Sequence, residues 1–160
     1  MRAMQLTLLV ALVGSGLVAT PAAAKTPRKL VGKVFFGSVK LMDQSPEALV
    51  KTFDAQKPEG KAGRAGDKWT TTLAAFFRNK SFPGPISVWF YDKSDKGSIK
   101  AKQAMHVLTI NAAPTETLVH TIDIFGDDGF NKGRTYLLWV GQIVRKRAKI
   151  YARGELTLLP

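Results

Sequence analysis

The sequence predicts an all-β protein, an antiparallel β-sandwich with one short helix near its N-terminus. Near the C-terminus, residues 149–158 alternate between apolar and polar side chains, which is typical of a strand with one buried face. From Lys68 onward, short apolar runs alternate with turn residues, as expected for a sandwich or a barrel. The chain has 160 residues, of which 45% are hydrophobic and 22% are charged. This length and composition indicate a single domain with its own core.

The first 24 residues have the pattern of a secretory signal peptide. Arg2 precedes an apolar run from Leu6 to Ala19, and the small residues 22–24 form a cleavage pattern before Lys25. A membrane anchor is the alternative, but the run is shorter than the roughly 20 residues that span a bilayer. We therefore expect an exported protein, periplasmic or extracellular, whose mature chain has no transmembrane segment.

The mature chain is predicted to be strongly basic and free of cysteine. The net charge of +12 becomes +12 − 1 = +11 without residues 1–24, because Arg2 is the one charged residue among them. Such a charge attracts polyanions, although it also favours solubility alone. The absence of cysteine excludes disulfides and a lipid-modified cysteine, so core packing must hold the domain together.

Residues 25–67 are predicted to precede the sandwich and to pack on it in part. Residues 30–41 are rich in β-branched and aromatic side chains and predict a first strand. Ser45 as N-cap and Pro46 at the first helical position predict a short helix ending at Phe53. Residues 55–67 contain three glycines and no large apolar side chain, which predicts a flexible basic loop.

Residues 68–160 are predicted to form the sandwich itself. Polar turns separate six apolar segments, which we interpret as strands. Their predicted ranges are 69–77, 86–91, 103–112, 117–125, 136–144 and 149–159.

The segment Gly133-Arg134-Thr135-Tyr136-Leu137-Leu138 resembles the penultimate strand of immunoglobulin-like and fibronectin type III sandwiches. In these proteins the tyrosine hydroxyl bonds back to the chain just upstream, and Tyr136 holds that place. Leu138 stands where antibody domains have their second cysteine, so the family's disulfide is absent. The resemblance covers about residues 68–159 and implies an immunoglobulin-like antiparallel β-sandwich without implying an activity.

That arrangement predicts a binding face on one sheet. If Ile86, Val88 and Phe90 point inward, the residues between them point outward, and the same alternation applies to the last two strands. The predicted face consists of Trp89, Tyr91, Trp139, Tyr151, Lys149 and Arg153. Contiguous exposed aromatic patches of this kind mark binding surfaces. Two alternatives remain: a one-residue shift exchanges the faces of strand 86–91, or the N-terminal strand and helix cover the patch as a second core.

Other candidate chemistry is sparse. Asp127, Asp128 and Asn131 offer oxygen ligands for calcium, but Asp, Asn and Gly are also the residues that turns require. His106 and His120 are the only histidines, and common hydrolase, metalloprotease and nucleotide-binding motifs are absent from the sequence. We therefore expect no enzyme and no cofactor.

The sequence thus favours a non-enzymatic exported protein that binds an anionic polysaccharide or another envelope or surface protein. The alternative is a structural or accessory subunit of an envelope or surface assembly, with no small ligand. No nucleic-acid partner is expected for an exported chain.

Overall fold

The computed structural model describes residues 26–57 and 59–160, so the predicted signal peptide lies outside the described residues. Within these ranges the chain is mostly β-structure, with nine strands and two α-helices. The strands are β1 Val34–Gly37, β2 Glu59–Ala62, β3 Arg64–Ala65, β4 Lys68–Phe76, β5 Ile86–Asp92, β6 His106–Ile110, β7 Thr117–Phe125, β8 Thr135–Val144 and β9 Arg147–Leu158. The helices are α1 Pro46–Phe53 and α2 Lys96–Ala101, and short 3-10 turns cover Val39–Asp43 and Gly126–Asp128.

The strands form two sheets. The five-stranded sheet has the order β2-β9-β8-β5-β6. Its first pair is parallel, from Glu59 opposite Glu155 to Ala62 opposite Leu158, and its other pairs are antiparallel. In the four-stranded sheet, β7 pairs with β4 along one edge, while β1 and β3 pair with β4 along the other. The prediction of purely antiparallel pairing is therefore wrong for β2.

The inner faces of the two sheets enclose the main core. Leu73 of β4 and Val88 of β5 are completely buried, as are Leu138 and Val140 of β8. Ile122 of β7 is 2% exposed and belongs to the same cluster. The alternate apolar residues of the sequence pattern thus supply both walls of one core.

A second core covers the outer face of the four-stranded sheet. Helix α1 starts as predicted, since the Oγ of Ser45 accepts a hydrogen bond from the backbone N–H of Ala48 at 3.3 Å. Its Phe53 stacks on Phe35 of β1, with ring centroids 4.9 Å apart, and meets Phe76 of β4 edge-on at 6.2 Å. The N-terminal elements therefore form a second core, but on the sheet opposite to the predicted binding face.

Three N-terminal and loop predictions need correction. The first strand is shorter than residues 30–41, because Gly32 turns the chain at φ +81° and a 3-10 turn follows Gly37. The predicted loop 55–67 contains β2 and β3, and α2, which follows β5, is a second helix where only one was predicted. Backbone pairing holds β2 and β3 in place. Helix α2 is held by its N-cap, in which the Asp95 carboxylate accepts a hydrogen bond from the Ser98 N–H. These elements need no apolar repeat, so the sequence pattern did not predict them.

The side chain of Tyr136 contacts the chain just upstream of β8. Its hydroxyl accepts a hydrogen bond from the backbone N–H of Asn131 at 2.8 Å. Its ring is 1% exposed and packs edge-on against Phe130, with centroids 4.9 Å apart. This contact fixes the loop that leads into β8.

Candidate binding face on the five-stranded sheet

The outer face of the five-stranded sheet carries two tryptophans side by side. In β5, Ile86, Val88 and Phe90 are at most 1% exposed and belong to the main core, so Trp89 faces outward. Trp139 of β8 lies directly opposite Trp89, and both are half-buried. Of the two registers left open by the sequence, the strand thus has the one with Ile86, Val88 and Phe90 inward, and the shifted register is wrong.

The indole of Trp139 is held between two neighbours. The ring of Tyr91 packs against it, with centroids 4.7 Å apart and planes inclined by 46°. On the other side, Arg153 of β9 lies opposite Trp139 in the register, with its guanidinium carbon 4.7 Å from the ring centroid. A cation over an indole face at this distance is an attractive cation–π contact. The ring is therefore oriented before any ligand arrives.

Tyr91 points outward but is only 3% exposed. Burial raises the pKa of its phenol above the ordinary value, because the charged phenolate would lose its hydration. Tyr91 therefore supports Trp139 and offers a ligand little surface of its own.

A groove runs along the sheet from Trp139. A depression of about 390 Å³ is lined by Trp139, Arg153, Glu155 and Glu59. A second depression of about 560 Å³ continues from the same two carboxylates to Lys61. The parallel strand β2 forms one wall, and β9 forms the floor.

The groove combines charged groups with hydroxyls. The Nζ of Lys93 lies 2.5 Å from Oε2 of Glu155, and the hydroxyls of Thr135 and Thr157 hydrogen-bond to each other at 2.8 Å. The charged groups that line it are four cations and two carboxylates, namely Lys57, Lys61, Lys93, Arg153, Glu59 and Glu155. This excess of positive charge next to an aromatic ring suits an anionic ligand with hydrogen-bonding groups.

Sequence reasoning missed this groove because it assigned β2 to a loop. A weak signal was present, since Glu59 and Lys61 are exposed while Gly60 and Ala62 face inward with period two. Gly60 has no side chain because a Cβ there would collide with the Phe36 ring. A strand with a glycine on its inward face is therefore not detected by counting apolar residues.

Tyr151 and Lys149 do not belong to the aromatic face, so the prediction is wrong for these two residues. The pairing of β8 with β9 shifts at one point: Val140 lies opposite Ala152, whereas Gly141 lies opposite Ile150. Tyr151 is the extra residue of this β-bulge, which exchanges the faces of the strand before it.

The bulge turns Tyr151 toward the edge of the main core. Its ring packs against Phe77, with centroids 4.9 Å apart, and its hydroxyl donates to Oε1 of the buried Gln142 at 2.7 Å. Lys149 lies on the same side, with its Nζ 4.5 Å from the centroid of the Phe82 ring. A strict alternation counted back from Leu158 could not reveal this change of face.

The calcium candidates lie in an exposed turn. Asp127 and Asp128 end a 3-10 turn, and the Nδ2 of Asn131 donates to the Gly129 carbonyl at 3.2 Å. Across residues 26–57 and 59–160, no group of three or more His, Cys, Asp or Glu side chains could hold a metal ion. We therefore assign no cation to this turn.

The two histidines lie in different sheets. His106 of β6 packs edge-on against the rings of Phe90 and Phe130, at 5.8 and 5.4 Å. His120 of β7 lies opposite Leu73 in the register of the other sheet. The two imidazoles therefore do not form a common site.

In the described part of the chain, no helix is both long and apolar enough to cross a membrane. Comparison with models of known protein families, with curated proteins and with solved structures found no match. The functional interpretation therefore stands on the geometry of the face and groove.

Proposed function

We propose that this chain is an exported, non-enzymatic β-sandwich of immunoglobulin-like type that binds an anionic glycan. The strand order supports the fold proposal: β1 and β7 flank β4 in one sheet, and β5, β8 and β9 are neighbours in the other. The hydrogen bond from Asn131 to the Tyr136 hydroxyl is a second supporting observation. Export, to the periplasm or beyond the cell, rests on the sequence pattern of residues 1–24.

The orientation of Trp139 carries the glycan proposal. Its indole is held between Tyr91 and Arg153 at the head of the groove. The apolar face of a sugar ring packs on the part of this indole that Tyr91 and Arg153 leave exposed, and the guanidinium of Arg153 pairs with a carboxylate or sulfate on the sugar. Lys61, at the far wall of the groove, binds the next acidic sugar of the glycan. The proposal assigns no catalytic step.

Fluorescence titration of the mature chain, residues 25–160, tests this proposal. Trp69 is 2% exposed, so changes on binding report on Trp89 and Trp139. We expect an acidic polysaccharide such as polygalacturonate to protect the indoles from acrylamide, a neutral quencher, and neutral dextran to leave them accessible. Trp139→Ala should weaken binding at least tenfold, as loss of a buried aromatic anchor does.

Two charge-removing variants separate a defined site from attraction by net charge. Arg153→Gln should weaken binding, whereas Lys100→Gln, which removes the same charge from exposed α2, should leave it unchanged. Equal losses for both variants would mean attraction by net charge alone and would contradict a defined site. Unchanged binding by Trp139→Ala would also contradict it.

The second candidate is an accessory subunit of an envelope assembly, and the edge strand β6 favours it. Val107 lies opposite Trp89 and is 48% exposed, and the adjoining Met105 is 38% exposed. An apolar edge strand is a template for association with another chain. This function predicts self-association in light scattering that Val107→Lys abolishes, with no protection of the indoles by any glycan.

A further inference from the structure

One end of the sandwich concentrates positive charge. We call it the basic end and define it as loop 77–85 between β4 and β5 together with the hairpin residues 141–151. These two segments contain six basic residues and no acidic one, and the adjoining segment before β7, which bonds to Phe77 and Ser81, adds the single acidic residue Glu116. The six are Arg78, Lys80, Arg145, Lys146, Arg147 and Lys149.

The buried side chain of Gln142 ties the two segments together. Its Oε1 accepts from the Phe82 N–H at 3.0 Å, and its Nε2 donates to the carbonyls of Phe82, Gly84 and Pro85 at 3.0–3.2 Å. The same Oε1 accepts from the Tyr151 hydroxyl. These hydrogen bonds hold the two segments, and the six cations that they carry, at one end of the sandwich.

Large apolar side chains project from the same end. Ile143 is 61% exposed and Phe82 is 46% exposed. The Phe82 ring lines a depression of about 410 Å³ together with Val144, Arg145 and Lys149. An exposed aliphatic side chain among cations adds nothing to the binding of a water-soluble polyanion, but it inserts readily below a layer of phosphate headgroups.

The hairpin turn holds its cations in an unfavourable conformation. Arg145 and Lys146 have φ values of 50° and 63°, so both central residues of this two-residue turn are left-handed. Asn-Gly is the pair that such a turn favours, because other side chains are strained there. The chain nevertheless places two adjacent, exposed cations at these positions.

We propose that the basic end docks on an anionic lipid surface. The Lys and Arg side chains contact headgroup phosphates, and Ile143 and Phe82 enter the interface below them. Charge complementarity and the exposed apolar pair together favour this occupant over a soluble polyanion. Ile143 lies beyond Trp139 on the outer face of β8, but none of the six cations lines the groove, so the inference does not rest on the proposed glycan function.

Co-sedimentation of the mature chain with vesicles tests the proposal. We expect binding to vesicles of phosphatidylglycerol and phosphatidylcholine, little binding to phosphatidylcholine alone, and weaker binding as the salt concentration rises. Arg145→Asn combined with Lys146→Gly should weaken binding about 30-fold, since each cation near an anionic surface contributes about fivefold. This variant has the turn sequence that the backbone prefers, so misfolding does not explain the loss.

Two matched variants separate lipid docking from other causes. Lys96→Gln combined with Lys100→Gln removes the same charge from α2 at the opposite end and should keep most of the binding. Ile143→Ser keeps every charge and should weaken binding several-fold. Equal loss for the two double variants, or no effect of Ile143→Ser, would overturn the proposal. Failure to bind the anionic vesicles, or tighter binding to a soluble acidic polysaccharide at this end, would overturn it as well.

Discussion

The separation of Tyr151 and Lys149 from Trp139 and Arg153 depends on Gly141. A Cβ added there would collide with the Lys149 carbonyl, because the bulge brings the two backbones together. The missing side chain permits the bulge, and the bulge separates Tyr151 and Lys149 from Trp139 and Arg153. One glycine thereby divides the residues of a single predicted face between two surfaces.

We expect Gly141→Ala to lower the free energy of unfolding by at least ~2 kcal/mol, as overpacking against rigid backbone does. Gly63→Ala is the control, since no atom lies within 4 Å of the added Cβ and the backbone needs no left-handed angle. It should change stability by no more than about 0.5 kcal/mol. Urea unfolding of both variants measures the difference, and equal stabilities would refute the role given to Gly141.

Strands β4 and β7 are joined by a charged contact on their outer face. Lys68 Nζ lies 2.8 Å from one carboxylate oxygen of Asp123, and the Thr70 hydroxyl donates to the other at 2.6 Å. The hydrogen bonds from Lys68 and then Thr70 lower the pKa of Asp123 below its ordinary value. The folded state thus favours the ionised carboxylate.

This lowered pKa gives the strand pair an acid-sensitive contribution. The contribution is complete above the unfolded pKa of about 4 and is lost as the pH falls through the lower folded pKa. Asp123→Asn should therefore reduce stability slightly at pH 7 and flatten its decline below about pH 4. The effect is small because both side chains are more than a third exposed.

Urea midpoints between pH 7 and pH 2 measure this effect, with Asp127→Asn in an exposed turn as the control. The difference in stability between wild type and Asp123→Asn should shrink in high salt, which screens exposed charges. A parallel decline of wild type and Asp123→Asn with falling pH would contradict the assignment.

Elements with an apolar repeat or a cap were predictable from the sequence. The range of β7 matches its prediction at both ends, and α1 follows from Ser45 and Pro46. The short strand β2 was not predictable because its inward residues are Gly60 and Ala62, and its pairing with β9 spans almost a hundred residues. The bulge was hidden for a different reason, because it depends on the close approach of Gly141 to the Lys149 carbonyl across the hairpin, which the apolar alternation does not record. Consequently Trp89, Trp139 and Arg153 were correctly placed together, while the groove and the displacement of Tyr151 were not.

Residues 156–160 complete the main core and pair with the N-terminal part of the chain. Leu156 and Leu158 are completely buried, and the Leu159 carbonyl accepts a hydrogen bond from the Trp69 indole at 2.6 Å. Strand β2 pairs with the same segment. The last strand therefore stabilises both the core and the N-terminal part of the chain.

Removal of residues 156–160 should abolish cooperative folding, because the main core loses two leucines and β2 loses its partners. Removal of Pro160 alone should preserve it, since that residue is exposed. Circular dichroism during heating distinguishes the two, by the presence or absence of a sigmoidal transition. A sigmoidal transition in the shorter chain would show that the role given to β9 is wrong.

The parallel pairing of β2 with β9 also has a consequence for the order of events during synthesis. A polypeptide leaves the ribosome, or threads a narrow channel, with its N-terminal end first. Residues 59–62 must then wait for residues 155–158 before they acquire their partners. Contacts so distant along the chain form slowly. The pairs within the four-stranded sheet can form earlier, whereas the parallel pair and the part of the core that Leu156 and Leu158 fill form only after β9 has emerged.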